Sequence, residues 1–259
     1  MLVRSLGLAT ELGLFATRSQ VVDRDDYLVV TTPDDPSYYY GNLLVLPAAP
    51  QVGEVAYWTR RFRDELGGNP QIRHVTLSWD GTSGDAGAVD EMTAAGFVIE
   101  HVQVMAAADV HAPEIDLELR PLGNDELART AELAYQIGDL HTDSHRRFLA
   151  RRAAWQRDLV VRGTATFWGA FDGDALVGSL GLVALGERAR YQDVQTAPGH
   201  RKRGIASALL ARAAAKARAE GAGTLVIVAA PGSAASRVYE RAGFATVERT
   251  ASACRYPTD

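Results

Sequence analysis

The residues best suited to chemistry lie close together near the C-terminal end of the chain. Three cations, Arg201, Lys202 and Arg203, directly precede Gly204. The next seventeen residues, up to Gly221, have the periodicity of a helix with one buried stripe, formed by Ile205, Leu209, Ala213 and Ala217. Positive charge is unfavourable at a helix start, because the helix dipole is already positive there and the first amide groups lack partners. The pattern therefore predicts that an anion binds at this helix start.

This loop resembles the site at which the GNAT superfamily of N-acetyltransferases holds the pyrophosphate of acetyl-CoA. The family pattern is Gln/Arg-x-x-Gly-x-Gly/Ala, and Arg201, Gly204 and Ala206 match its constrained positions. The context agrees, because an apolar strand precedes the loop, and a long helix and a second apolar strand at residues 225–230 follow it. The resemblance implies that acetyl-CoA is the cosubstrate.

The resemblance also implies the rest of the cofactor site. In the family, the strand before the loop splays from its parallel neighbour, so the main chain of Val194 and Thr196 is expected to hydrogen-bond pantetheine. The loop is expected to hold the pyrophosphate, and a serine of a later helix occupies the region where the family often has asparagine. The implied cofactor-binding residues are Val194, Gln195, Thr196, Arg201, Lys202, Arg203, Gly204, Ile205, Ala206, Ser207 and Ser236.

Tyr239 occupies the place of the family's acid tyrosine, five residues before Phe244. A phenol has a usual pKa of about 10 and a thiol one of about 8.5, so tyrosine stays protonated at neutral pH and can assist a departing thiolate. The resemblance implies that Tyr239 is the catalytic acid. The alternative is that its ring only packs against the sheet.

Acetyl transfer to an amine also needs a base, since an amine is mostly protonated at neutral pH. Four side chains are candidates, none with a distinctive spacing: Asp193, His200, His141 and His145. A chain of water molecules leading to solvent would leave no sequence signature. The base stays unassigned.

The connection between the first two helices of the second half is the segment His141-Thr142-Asp143-Ser144-His145. In the fold that the resemblance implies, this connection often lines the acceptor pocket, so His141 and His145 are candidate substrate-binding residues. The favoured alternative is that the segment caps the following helix through Thr142, Asp143 or Ser144. The His-x-Asp-x-His spacing is also compatible with a metal ion, although we expect no metal site.

From residue 115 to 256 the predicted elements follow the GNAT order. They are a strand at residues 115–120, two helices, three antiparallel strands, a helix, a strand, a helix and a strand. In the first half, periodicity predicts helices at residues 6–15 and 55–66, and strands at residues 27–32, 42–46 and 74–79. Tyr38, Tyr39 and Tyr40 are expected to open the second of these strands and to pack on the sheet.

Residues 90–100 look like a weaker copy of residues 238–248. In each, Ala-Gly-Phe ends a helix at glycine and begins a buried strand at phenylalanine. We infer an internal duplication, as in tandem GNAT proteins. Residues 46–58 contain nothing like Arg-x-x-Gly-x-Ala, and Met92 holds the tyrosine position, so the first half is expected to support the second rather than to bind acetyl-CoA.

These patterns predict an α/β protein of two GNAT-like domains, each a mixed, mostly antiparallel twisted sheet flanked by helices. The predicted domains are residues 1–112, a degenerate GNAT-like domain, and residues 113–259, the catalytic domain. The boundary falls in residues 106–113, which carry few structural signals.

Composition narrows the choice of partners and compartment. The net charge of -5 argues against a general nucleic-acid binder, which needs a basic surface. Cys254 is the single cysteine, which excludes an intrachain disulfide and fits a reducing compartment. No apolar run is long enough to span a bilayer, and Glu11 interrupts the N-terminal apolar stretch. We expect a cytoplasmic monomer or homodimer with no nucleic-acid or membrane partner.

The sequence thus predicts an N-acetyltransferase that moves an acetyl group from acetyl-CoA to a primary amine by direct attack in a ternary complex. The acceptor is a small molecule or a peptide of unknown identity. One alternative is a tandem acyltransferase for an amino-sugar thiol, similar to mycothiol synthase. Another is a sensor that binds acyl-CoA without catalysis.

Overall fold

The computed structural model of the chain describes residues 1–257. Its helices are α1 (Leu6–Phe15), α2 (Val55–Leu66), α3 (Val89–Ala94), α4 (Ala128–Ile137), α5 (Asp143–Val161), α6 (Ile205–Ala219) and α7 (Ala234–Arg241). Its strands are β1 (Gln20–Asp23), β2 (Leu28–Thr31), β3 (Leu43–Leu46), β4 (Val75–Trp79), β5 (Val98–Ala107), β6 (Glu118–Pro121), β7 (Ala165–Asp172), β8 (Ala175–Leu185), β9 (Arg188–Thr196), β10 (Thr224–Ala229) and β11 (Ala245–Arg255). Two 3₁₀ helices lie at Tyr39–Gly41 and Pro198–His200.

The chain forms two compact units. Unit 1 comprises Met1–Val104, Ala229–Pro231 and the chain from Thr246 onward, and unit 2 comprises Met105–Val228 and Gly232–Ala245. The units are interleaved in sequence, because most of the last strand belongs to unit 1. These units are defined by how compactly the chain folds, whereas the predicted domains are defined by an inferred duplication. The domains 1–112 and 113–259 therefore stay a prediction.

Unit 1 is built on strands in the order β1-β2-β3-β4-β11-β5. The pairs β1–β2, β2–β3 and β4–β11 are antiparallel, and β3–β4 is parallel. One core of this unit packs α2 and α3 on the sheet through Phe62, Leu66 and Met92. A second core packs α1 on Val30, Leu43 and Val45 through Leu8 and Phe15.

Unit 2 has the strand order β10-β9-β8-β7-β6. The pairs β6–β7, β7–β8 and β8–β9 are antiparallel, whereas β9 and β10 are parallel. Helix α6 packs on β7, β8 and β9. Its predicted stripe is confirmed, since Ile205, Leu209, Ala213 and Ala217 are all buried. The helix therefore holds its first turn at a fixed place beside the end of β9.

The three tyrosines at positions 38–40 do not open a strand as predicted. Tyr39–Gly41 is a 3₁₀ helix, and β3 begins at Leu43. The Asn42 side chain stabilises this turn, because its Nδ2 donates to the carbonyls of Asp35 (3.0 Å) and Tyr38 (2.9 Å). Asparagine side chains that bind nearby main-chain groups in this way favour turns over strands.

Two further strand predictions need correction. The strand predicted at residues 115–120 begins later, at Glu118, because the segment before it packs on Gly204 instead of pairing in the sheet. Strand β1 was not predicted, since all four of its residues are exposed at a sheet edge and give no alternating pattern.

The predicted α/β class is confirmed, since the strands pair in a mixed, mostly antiparallel arrangement that is flanked by helices. Among residues 1–257, no helix combines the length and the apolar character that crossing a membrane requires.

Candidate active site

The cationic loop ends in a conformation that requires glycine. Gly204 has φ +79° and is the N-cap of α6, and no side chain caps the helix there. A Cβ on Gly204 would lie 2.8 Å from Pro113 Cγ and 3.3 Å from Ile115 Cγ2. Glycine is thus required both by the left-handed backbone and by the close packing of residues 113–115. The amide groups of the first turn of α6 remain available as donors.

The three cations of the loop have different surroundings. Arg203 Nη1 lies 3.8 Å from Asp172 Oδ2, and His200 Nε2 lies 3.3 Å from the same oxygen. Arg201 Nε donates weakly to the Thr196 carbonyl at 3.4 Å. Lys202 makes no hydrogen bond or ion pair with any residue between 1 and 257, and its φ is +63°. Arg201 and Lys202 are therefore the cations that a bound anion can recruit most readily.

A cleft of about 970 Å³ opens beside the start of α6. The end of β9 lines it at Val194, Gln195 and Thr196. Arg201, Lys202 and residues 204–207 line it from the loop and α6. Tyr239 lines it from α7, so the structure brings ten of the predicted site residues to one cavity.

The cleft exists because β9 and β10 separate. Their parallel pairing comprises Thr224 with Arg188, Leu225 with Ala189 and Val226 with Arg190. In the described chain no pair of these two strands follows, although β9 continues to Thr196. The main-chain groups of β9 that face β10 beyond this point therefore lack a sheet partner on that side. In addition, Gln195 Oε1 is buried and accepts no hydrogen bond from residues 1–257.

Tyr239 is 6% exposed, and burial raises the pKa of its phenol to about 12. Its ring contacts Phe244 edge-on at a centroid distance of 6.3 Å. Helix α7 ends at Arg241, Gly243 follows it with φ +105°, and the Phe244 amide donates to the Tyr239 carbonyl at 3.0 Å. The Tyr239 hydroxyl hydrogen-bonds to none of the described residues. It is consequently a protonated donor held rigidly at the cleft wall.

The model of the Acetyltransferase (GNAT) family matches residues 127–244, which include the cleft and Tyr239. These residues form a GNAT-family acetyltransferase domain. The family transfers acyl groups from acyl-CoA, so the domain is an acyltransferase domain. No curated protein is significantly similar to this chain in sequence.

Solved structures share the fold of the GNAT domain and of the rest of the chain. A functionally unknown conserved protein from Staphylococcus epidermidis ATCC 12228 is 12% identical, with a TM-score of 0.74, over 93% of this chain and 95% of that chain. A GCN5-related N-acetyltransferase from Kribbella flavida is 17% identical, with a TM-score of 0.64, over 98% of both chains. A tandem GNAT protein from the clavulanic acid biosynthesis pathway is 14% identical, with a TM-score of 0.56, over 84% of this chain and 76% of that one.

Two predicted cofactor residues of the GNAT domain do not line the cleft. In the described chain, neither Arg203 nor Ser236 is among the residues that line the cleft. Ser236 is 1% exposed, and its hydroxyl donates to the Ser233 carbonyl at 3.0 Å. The Ser233 hydroxyl in turn accepts from the Ser236 amide at 3.1 Å, so the hydrogen bonds of both serines stabilise the first turn of α7. Ala234 and Ala235 line the cleft in their place.

His141 and His145 form an aromatic group with Tyr135 at the corner between α4 and α5. The Tyr135 ring lies 5.0 Å from His141 and 6.3 Å from His145, between centroids. The capping prediction is confirmed, because the His145 amide donates to Thr142 Oγ1 at 3.2 Å. Within the described chain the cleft lining includes neither histidine, although Ile137 of the same corner belongs to it. No three acidic, histidine or cysteine side chains among residues 1–257 are arranged for a metal ion.

The four candidate bases are placed differently. Asp193 has both carboxylate oxygens engaged, by Gln156 Nε2 at 2.8 Å and Arg152 Nη1 at 3.0 Å. His200 lines the cleft while its ring contacts Asp172. His141 and His145 lie in the corner described above. The structure thus brings His200, of the four, to the cleft.

Sequence reasoning missed several residues of the cleft, among them His111, Arg237 and Arg241. The two arginines are four residues apart and so share one face of α7, a spacing that could have been found from helical periodicity. His111 had no such signal. It is placed by a main-chain bond, since its amide donates to the Ala242 carbonyl at 2.9 Å. Arg237 and Arg241 add positive charge to the part of the cleft wall that α7 forms.

Proposed function

We propose that this chain is an acetyl-CoA-dependent N-acetyltransferase that moves an acetyl group to a primary amine by direct attack in a ternary complex. The observation that carries the proposal is the convergence of three features on one cleft. These features are a cationic helix start, an unpaired strand edge and the Tyr239 hydroxyl. Each supplies one requirement of acyl transfer from a thioester.

The start of α6 suits the pyrophosphate of acetyl-CoA. The amides of residues 204–207 can donate to phosphate oxygens, and the helix dipole favours negative charge at the same point. Arg201 and Lys202 add two cations, one of them without a partner in the described chain. Arg203 contributes less, because Asp172 partly neutralises it.

The free edge of β9 suits the pantetheine arm, which carries two amides. The main chain of residues 194–196 can bond to these amides as a neighbouring strand would. The buried Gln195 Oε1 supports this fit, since a buried acceptor without a donor is costly and a ligand N–H would satisfy it. When bound, acetyl-CoA supplies the activated thioester, and every other function belongs to the chain.

Tyr239 is proposed as the acid that protonates the CoA thiolate as it leaves. Its raised pKa keeps the phenol protonated throughout the neutral range. A thiolate whose conjugate acid has a pKa of about 8.5 accepts a hydrogen bond from such a donor, which stabilises the sulfur as it leaves and holds the proton beside it. The absence of a competing hydrogen-bond acceptor for this hydroxyl within residues 1–257 leaves it free for the task.

The amine acceptor must reach the thioester in neutral form. His200 is the titratable candidate that lines the cleft, and water in this open cleft offers a second route for the proton. We therefore propose that the amine loses its proton to solvent or to His200. Asp193 is not proposed as the base, because both of its carboxylate oxygens already bind other side chains. The acceptor is proposed to be a small molecule or a peptide. We further propose that the first half is a degenerate GNAT-like copy that binds no acetyl-CoA.

The test is release of free CoA from acetyl-CoA in the presence of a panel of amines, including polyamines, amino sugars and peptides with lysine. The proposal predicts release that depends on at least one amine and is saturable in both substrates. Tight acetyl-CoA binding without release by any amine would instead indicate a sensor. Release that requires a thiol-bearing amino sugar would indicate the alternative acceptor class.

A further inference from the structure

Asp193 has a backbone conformation that is uncommon among residues other than glycine. Its φ is +51°, in the left-handed region that residues other than glycine rarely adopt. It lies where the pairing of β8 and β9 shifts, between the pairs Gly181–Gln192 and Ser179–Gln195. One residue of β8 thus faces two of β9, which is a β-bulge. Such strain persists only where the surrounding structure enforces it.

A buried polar chain from two helices enforces this conformation. Gln156 Nε2, on α5, donates to Asp193 Oδ2 at 2.8 Å, and Gln156 Oε1 accepts from the Thr130 hydroxyl of α4 at 2.9 Å. Gln156 is 1% exposed and Thr130 is 2% exposed. Arg152 Nη1, one turn before Gln156, holds Asp193 Oδ1 at 3.0 Å. Both oxygens of the carboxylate are therefore fixed from α5.

The bulge separates two different parts of β9. Before it, Arg190 is the last residue to pair with β10, and the buried Tyr191 hydroxyl donates to the Leu210 carbonyl of α6 at 2.8 Å. After it, residues 194–196 line the cleft. The extra residue changes the direction of the strand where its edge becomes free. What holds Asp193 therefore also sets where the cleft-lining main chain lies.

We propose that Gln156 and Arg152 are positioning residues, which act through Asp193 to hold the β9 bulge and so place residues 194–196 for the pantetheine arm and the acetyl group. The inference rests on the proposed function. It gives a role to a buried glutamine and to a half-buried arginine on the same helix. It also assigns Asp193 a conformational role instead of that of a base.

The first test compares two substitutions of Asp193 by calorimetric titration with acetyl-CoA. Glycine adopts a positive φ without strain, so Asp193→Gly should bind acetyl-CoA within about threefold of the wild type. Asp193→Ala has the strain but no carboxylate to hold it, and should bind about tenfold more weakly. Equal affinities of the glycine and alanine variants would overturn the inference.

The second test separates the two halves of the ligand. In Gln156→Met, acetyl-CoA should bind about tenfold more weakly, whereas 3′-phospho-ADP, the nucleotide half of CoA, should keep its affinity because it does not reach the bulge. Adding Asp193→Gly to Gln156→Met should restore acetyl-CoA binding. Failure of this rescue, with nucleotide binding intact, would overturn the inference. If Gln156→Met loses nucleotide binding as well, its fold is lost and the two Asp193 variants decide.

A matched pair on α5 provides the control. Arg152→Gln should weaken acetyl-CoA binding about threefold, as expected for loss of one ion pair, and Arg147→Gln, the same change at an exposed position of the same helix, should leave it unchanged. Equal effects would overturn the role of Arg152. If wild-type protein binds neither acetyl-CoA nor 3′-phospho-ADP, the proposed function itself fails. If it binds both and Gln156→Met binds both equally well, the positioning role alone fails.

Discussion

Units 1 and 2 contain the same succession of elements, but their parallel strands stay paired in unit 1 and separate in unit 2. In each unit a strand, a helix, a parallel strand and a second helix follow one another, as β3-α2-β4-α3 and as β9-α6-β10-α7. In unit 2 the parallel strands separate after Val226 and Arg190. In unit 1 the pairs continue to Leu46 and Trp79, the last residues of both strands, and the Asp80 amide donates to the Leu46 carbonyl at 2.9 Å. The described part of unit 1 thus leaves no edge between these strands for a ligand.

The loops that follow β3 and β9 differ in charge and in packing. In unit 1 the Pro50 carbonyl accepts from the Ala88 amide at 2.8 Å, and a Cβ on Gly87 would lie 2.3 Å from that oxygen. The loop is therefore packed directly on the segment before α3. Helix α2 is preceded by Glu54, an anion that already suits the helix dipole, whereas α6 is preceded by three cations. In the proposed function, an external anion takes at α6 the place that Glu54 takes at α2.

The second helices end in the same way and yet carry different side chains. Gly96 and Gly243 both have positive φ, and the amides of Phe97 and Phe244 donate to the carbonyls five residues back, at 2.9 and 3.0 Å. These carbonyls belong to Met92 and Tyr239. Met92 is fully buried in the core of unit 1, whereas Tyr239 presents a hydroxyl to the cleft. The two units thus share turns and packing, whereas strand separation and a tyrosine beside the cleft distinguish unit 2 from unit 1.

The largest effect is expected from closing the anion site. Gly204→Glu places a strained residue against Pro113 and an anion at the proposed pyrophosphate site, so acetyl-CoA affinity should fall by about a thousandfold or more. Calorimetric titration measures this. The control is Gly53→Glu in the corresponding loop of unit 1, where φ is also positive and no atom of the described chain lies within 4 Å of a new Cβ. Retention of wild-type affinity by Gly204→Glu would refute the loop assignment.

The second-largest effect is expected from removing the hydroxyl of Tyr239, the proposed acid. Tyr239→Phe removes the hydroxyl but keeps the ring against Phe244, so turnover should fall about a hundredfold while acetyl-CoA affinity changes by less than about threefold. Steady-state kinetics with an amine from the panel, together with titration, separate the two quantities. Equal losses of turnover and affinity would remove the acid assignment and favour a packing role for the tyrosine.

Gly204 and Tyr239 were predicted from the sequence because the patterns that mark them are local. Three cations before a glycine and a tyrosine five residues before a phenylalanine need no tertiary information. The helices at Leu6–Phe15 and Val55–Leu66 were predicted with the observed bounds for the same reason, since periodicity and stop signals lie within the segment.

Other features depend on contacts distant in sequence and were not predicted. Gln156 lies on the buried face of α5 with Leu149, Ala153 and Leu159, and its partner Asp193, 2.8 Å away, is 37 residues distant in sequence. His111 lies in a segment that carries no periodic signal and lines the cleft through a bond to Ala242. Tyr38–Tyr40 have high strand propensity, but the side chain of Asn42 stabilises a turn there. Local patterns predict elements, whereas close approaches between elements require the structure.

The third effect is expected in unit 1, from a substitution of Met92, the counterpart of Tyr239. Met92→Ala leaves a cavity in the core of unit 1 and should lower the free energy of unfolding by about 2–5 kcal/mol. Affinity for acetyl-CoA, measured well below the unfolding temperature, should stay unchanged. Urea denaturation and titration measure the two properties. A large loss of affinity in fully folded Met92→Ala would show that unit 1 takes part in cofactor binding.

The smallest effect is expected from alkaline pH. Because burial raises the pKa of Tyr239 from 10.0 to about 12, the phenol stays protonated well above the range in which amines lose their proton. Turnover should rise with pH as the amine is deprotonated and should not fall before about pH 10. The same burial makes a contribution to stability that is complete below pH 10 and is lost as the pH rises through 12. A fall in turnover between pH 8 and 9 that Tyr239→Phe abolishes would contradict this assignment.

The most direct test of the difference between the two units is the stoichiometry of acetyl-CoA binding to the wild-type chain, measured by titration calorimetry. The account predicts saturable binding of one acetyl-CoA per chain, competed by CoA and abolished in Gly204→Glu. Binding of two molecules per chain, or the absence of both heat and thermal stabilisation in several buffers, would contradict it.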